Sequence, residues 1–162
     1  MKTLEQWLSA YGQSHQNKVN QRLHHVCVPA IVFSLLGLLW LLPLPGVILP
    51  ANIPANVAML LAVLVCAFYY YLSWRIATGA STMIGLMLLL VYMIDRSAWP
   101  LHMISLLVFV LAWVGQFIGH AIEGKRPSFA QDIRFLLIGP LWVIAHGYEV
   151  LGIPVDKRLI NG

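Results

Sequence analysis

The chain has 162 residues, 60% hydrophobic and only 10% charged, with a mean hydropathy of +0.79. A soluble domain carries about 25% charged residues, so charge cannot cover this surface and lipid is the expected solvent. The net charge of +4 is spread between apolar runs rather than gathered in a basic patch, which argues against a nucleic-acid binder.

At the amino terminus, "TLEQWLSAYG" places Thr3 and Gln6 as a capping box, with Leu4, Trp7, Leu8 and Tyr11 on one helical face. The spacing predicts an amphipathic helix lying on the membrane, and no cleavable signal is expected. Long stretches then lack Asp, Glu, Lys and Arg: Leu23 to Trp74, Ile76 to Ile94, and Ser97 to Ile122. A spanning helix needs about 20 apolar residues. The four prolines of "PLPGVILPANIPAN" (43–56) break the first stretch in two. Four spans are predicted, at about 26–42, 57–74, 80–94 and 101–121, the third being short. A further apolar run at 135–148 is interrupted by Gly139-Pro140 and is expected to be re-entrant or interfacial. The whole chain is thus read as one all-α, multi-pass membrane domain. Cys27 and Cys66 sit in apolar runs with no paired motif and are expected to be inert.

An even number of spans puts both termini on one side. Lys2, Lys18, Arg22, Arg75, Lys125, Arg126, Lys157 and Arg158 then fall together, while Arg96 lies opposite beside Asp95. That is the positive-inside pattern, so both termini are expected in the cytoplasm, with the basic excess facing anionic lipid. The expected host membrane is the inner membrane if the source is bacterial and the endoplasmic reticulum if it is eukaryotic.

This topology gathers histidines. His15, His24, His25 and His120 fall on the cytoplasmic side, and His146 joins them if its segment is re-entrant. His102 falls at the opposite end. Gln116, His120 and Glu123 share one face of the fourth span, as Asn17, Asn20 and His24 share one face of the first. Gly115 and Gly119 permit close helix contact. His15 and His24 lie about half a turn apart on a continuous helix, so the chain must bend between them, and "SHQN" offers cap-type residues for that bend. Taken singly, His25 and His146 are read as interfacial anchors. His15, His24 and His120 together read as a metal site, since three imidazoles suit iron or zinc. A di-iron carboxylate site is excluded, because it wants about four glutamates on facing helices and only Glu123 is well placed.

The stretches "SHQNKVNQRLHHVCVP", "WVGQFIGHAIEGKRPSF" and "LLIGPLW" resemble the membrane 2-hydroxy fatty acid dioxygenases over essentially the whole chain. The family pattern is filled by His15, Asn20, His24, Gly119, His120, Glu123 and Pro127. His25 stands where an aromatic residue is expected, and His146 lies outside the pattern. The resemblance implies Fe(2+)-dependent α-oxidation, in which a 2-hydroxy fatty acid and O2 give the fatty acid one carbon shorter, CO2 and water. Its metal ligands would be His15, His24 and His120. Glu123 and Asn20 would be either a further ligand or groups that orient one, with the orienting role favoured for Glu123. Arg75, Lys18, Arg22 or Arg126 would hold the substrate carboxylate, and the alkyl tail would lie among the spans. No nucleotide-binding glycine-rich loop is present, and none is needed.

Two other readings compete. A b-type haem protein would use His24 and His120 as axial ligands from two spans. A non-enzymatic scaffold or lipid-binding protein would hold no metal. A zinc hydrolase is disfavoured, since no nucleophile accompanies the histidines.

Overall fold

The computed structural model describes residues 3–50, 53–127 and 134–153. Among them the order is α1 (Leu4–Gly12), α2 (Lys18–Trp40), β1 (Pro43–Leu49), β2 (Ile53–Asn56), α3 (Val57–Leu72), α4 (Trp74–Asp95), α5 (Leu101–Glu123) and α6 (Phe135–Val150). Of the basic residues counted for topology, Lys2, Lys157 and Arg158 lie outside the described residues.

Helix α1 begins as the sequence dictates. The Thr3 hydroxyl accepts from the Gln6 amide, and the Gln6 side chain accepts from the Thr3 amide. Its apolar face does not rest on lipid, however. Leu4, Trp7, Leu8 and Tyr11 are buried, and α6 is the cover: Trp7 packs edge-on against Phe135, and Tyr11 tilts against Trp142. Each such side chain contributes about 1.5–3 kcal/mol relative to exposure to water.

Helices α2, α4 and α5 are long and apolar enough to cross a membrane, at 23, 22 and 23 residues; α3 and α6, at 16 each, are shorter. Helix α2 starts at Lys18, well before the expected span at 26. Its first turns are polar but capped, the Asn17 side chain accepting from the Val19 amide at 2.8 Å. The break between α3 and α4 falls at Ser73, whose extended backbone separates Leu72 from Trp74, so α4 is a full-length helix rather than the short span expected at 80–94. Ser73 carries no Pro or Gly signal for this break. The proline-rich 43–56 segment does stop the helix, but as a β-hairpin with Pro43 opposite Asn56 and Leu49 opposite Ile53. Alternate prolines suit an edge pair with no neighbour to bond. Helix α6 runs unbroken through Gly139-Pro140, so the chain does not turn back there. Proline removes one helical bond at this point, and the buried Tyr69 hydroxyl donates to the adjacent Leu137 carbonyl at 2.7 Å.

The main contact is between α2 and α5. Small residues let the two approach: a Cβ on Gly115 would stand 2.6 Å from the Cys27 sulfur, one on Gly119 would strike the Asn20 side-chain oxygen, and one on Gly37 would strike Ser105. In lipid, where apolar contact alone gives little drive, such close packing is what holds helices together. It brings the end of α5 against the start of α2.

Candidate metal centre

Three parts of the chain deliver one histidine each. Helix α1 ends at Gly12; the His15 amide turns back to the Gly12 carbonyl at 3.0 Å, and Asn17 restarts the chain as α2. This is the bend expected at "SHQN", and it lets His15 face His24. The α2–α5 contact then brings His120 alongside. Ring centroids lie 4.2 Å apart for His15 and His24, 5.0 Å for His15 and His120, and 4.9 Å for His24 and His120. One nitrogen from each ring lies within 4.8 Å of the others, and all three residues are at most 5% exposed.

The hydrogen bonds fix which nitrogens face inward. His15 Nδ1 lies 2.6 Å from the Tyr11 carbonyl, and His24 Nδ1 lies 3.0 Å from the Asn20 carbonyl. A carbonyl only accepts, so both Nδ1 atoms carry the proton and both Nε2 atoms offer lone pairs. His15 Nε2 and His120 Nδ1 are buried without a hydrogen-bond partner. A buried polar atom left unpaired costs roughly 1–3 kcal/mol unless something binds it. Burial first, and then the neighbouring His24 ring, push His15 down to about 3, so it is neutral at physiological pH. A neutral imidazole with a free lone pair is the form that ligates a metal.

The surroundings hold these rings still. Tyr11 stacks on His15 at 4.2 Å and 9°, and Trp142 tilts against the same ring at 5.4 Å. Gln116 lines the same groove as His24 and His120. Glu123 does not point a free oxygen at the cluster. Its carboxylate accepts from the Gln16 amide at 2.9 Å, the Asn17 amide at 2.8 Å and Asn20 Nδ2 at 3.2 Å. It therefore fastens the end of α5 to the turn carrying His15 and to the positive end of the α2 dipole. Asn20, fully buried, also donates to the Ser14 carbonyl at 3.3 Å.

Other residues are placed elsewhere. His25 and His146 stand beside the cluster rather than in it, 5.4 Å from each other and both against Trp142. His102 starts α5, the end far from His120. Lys18, Arg22, Arg75 and Arg126 are exposed. Arg75 lies over Trp74 at the start of α4. The sequence reading missed Tyr11 and Trp142 as walls of the site. Tyr11 had a signal, since it precedes His15 by one helical turn, while Trp142 had none short of the α1–α6 packing.

This constellation defines a class before it defines a chemistry: a helical protein with three helices long and apolar enough to cross a membrane and three buried histidines gathered at one end of the α2–α5 pair. The chain belongs to the family described as 2-hydroxy-palmitic acid dioxygenase Mpo1-like, whose model matches residues 1–149. It is 26% identical over 143 residues to the 2-hydroxy-palmitic acid dioxygenase MPO1 of Saccharomyces cerevisiae, covering 87% of this chain and 77% of that protein. No solved structure matches.

Proposed function

We propose that the chain is an Fe(II)-dependent dioxygenase that shortens 2-hydroxy fatty acids by one carbon. The observation that carries this reading is the convergence of three buried imidazoles, two of them with a ring nitrogen that has no hydrogen-bond partner, in a chain of this family. The donor set fits iron: three neutral nitrogen ligands leave open positions for a bidentate 2-hydroxy acid and O2. Bound there, Fe(II) would supply the redox chemistry that O2 needs to react with the acid.

The chain's own residues do the rest. The Tyr11 and Asn20 carbonyls orient His15 and His24 and fix their tautomers. Glu123 and Asn20 hold the His15 turn against α5 and orient the ligands rather than supplying one. Tyr11, Phe135 and Trp142 exclude water from one side. Lys18, Arg22, Arg75 and Arg126 give this leaflet a positive potential that draws a carboxylate, whichever of them touches it. The overall change balances without a further cofactor: R–CH(OH)–COOH and O2 give R–COOH, CO2 and H2O. The acid gives up four electrons and one O2 accepts four.

In this reading α3 crosses with α2, α4 and α5, both termini are cytoplasmic, and the histidines lie at the cytoplasmic leaflet, in a bacterial inner membrane or the endoplasmic reticulum. Haem ligation by His24 and His120 is disfavoured, because ring centroids 4.9 Å apart leave no room for a porphyrin between them. Purified protein supplied with iron, 2-hydroxypalmitate and O2 should form pentadecanoate and CO2 in equal amounts. Absence of both products from an iron-loaded protein would refute the proposal.

A further inference from the structure

Helices α5 and α6 each pack on α2 or its neighbours rather than on one another. Between them runs a shallow groove of about 50 Å³, room for a short stretch of alkyl chain. Its upper end holds His24 and His120, with Tyr11 beside them; its lower end is apolar, reaching Val32 on α2 and Trp113 on α5. From His24 to Val32 is eight residues of helix, a descent of about 12 Å toward the bilayer centre. From His120 to Trp113 α5 descends the same way by about 10 Å. Leu136 lines the α6 side and is 43% exposed, so the groove opens on the flank of the bundle, where lipid would lie.

We infer that this groove is the acyl-chain site: the substrate enters sideways from the bilayer between α5 and α6, its chain lying along α2, with Val32 setting how much chain is gripped. The inference rests on the proposed dioxygenase reading for the identity of the occupant. Three observations carry it. The groove is continuous with the histidine cluster, and the orphaned His120 Nδ1 is on a residue that lines it. Polarity falls along it, from histidines and Gln116 at the top to Val28, Ile31, Val32 and the Trp113 indole below. That gradient matches one occupant, a molecule with a polar head and an alkyl tail, and a headgroup at this depth places the tail within the leaflet. The groove holds only the first part of a long chain, and the remainder passes into lipid.

The test uses the full chain in lipid nanodiscs. Binding of 2-hydroxyhexadecanoate and 2-hydroxyoctanoate is measured without O2, by displacement of a fluorescent fatty acid. Val32→Phe fills the lower groove and should weaken binding of the long acid by about tenfold relative to the short one, the equivalent of expelling one or two methylenes. Val32→Ala should not weaken the long acid. Turnover with O2 should shift its long-to-short preference in the same direction. Equal loss for both acids in Val32→Phe, or no change while the variant remains folded, would overturn the groove assignment. A chain-length shift in binding with no turnover of either acid by the parent would leave the groove standing and refute the dioxygenase reading. Turnover by the parent with an unshifted preference in Val32→Phe would do the reverse.

Discussion

Substituting Glu123→Gln separates a ligand from a residue that holds ligands in place. The carboxylate accepts three bonds, two of them from the backbone amides of Gln16 and Asn17 at 2.9 and 2.8 Å. Glutamine keeps the shape but has one acceptor, so its NH2 group is turned against a backbone N–H. A hydrogen bond to a charged group contributes about 1.5–3 kcal/mol, and water compensates part of this at a partly exposed site. The expected cost is therefore about 1–2 kcal/mol of stability, together with a 10–100-fold loss of iron affinity as the His15 turn loosens. The assay is a chelator-competition titration of iron on wild type and variant, with thermal unfolding in the same detergent. Replacing a direct ligand, as in His24→Ala, should be harsher and abolish stoichiometric binding. If Glu123→Gln loses iron as completely as His24→Ala, Glu123 is itself a ligand. If its affinity and melting temperature match wild type, the clasp between α5 and α2 has no role in the site.

Gly119→Ala pushes a Cβ into the Asn20 side-chain oxygen and should destabilise the protein by about 1–3 kcal/mol in detergent unfolding, whereas Gly85→Ala, with nothing within 4 Å of its Cβ, should be neutral or slightly stabilising. His102→Ala, at the far end of α5, should keep wild-type turnover of 2-hydroxypalmitate, while His120→Ala should lose it. In a background with Cys27 and Cys66 replaced by Ala, an impermeant thiol reagent applied to intact cells should label Ile48→Cys in the hairpin and spare Arg126→Cys; the opposite pattern would invert the topology.

The grouping of His15, His24 and His120 was more legible in the sequence than the helix ends were. His15, His24 and His120 could be grouped because charge gaps placed them at one leaflet and helical arithmetic demanded a bend at "SHQN", which Asn17 supplies by capping α2. The GxxxG spacing of Gly115 and Gly119 correctly signalled a close helix contact, and the partner proved to be α2. What the sequence does not show is where the helices begin and end. Apolar content does not distinguish α3 from α4 when Ser73 is the break, and prolines that end a helix do not announce that their segment pairs as a hairpin. The cover that α6 gives α1 was illegible too, because an amphipathic face looks the same whether lipid or another helix receives it. The carboxylate partner stayed unassigned because Lys18, Arg22, Arg75 and Arg126 are all exposed, and charge count alone does not choose among them.

The most direct test of the metal centre is the iron content of protein purified in mild detergent and loaded anaerobically, measured by mass spectrometry for wild type and for His24→Ala, His120→Ala and His25→Ala. The neighbouring His25 ring is turned toward Trp142 and His146, outside the cluster. One iron per chain in wild type and in His25→Ala, with almost none in His24→Ala and His120→Ala, is the predicted result. Wild type without stoichiometric iron, or His24→Ala retaining it while His25→Ala loses it, would contradict the site.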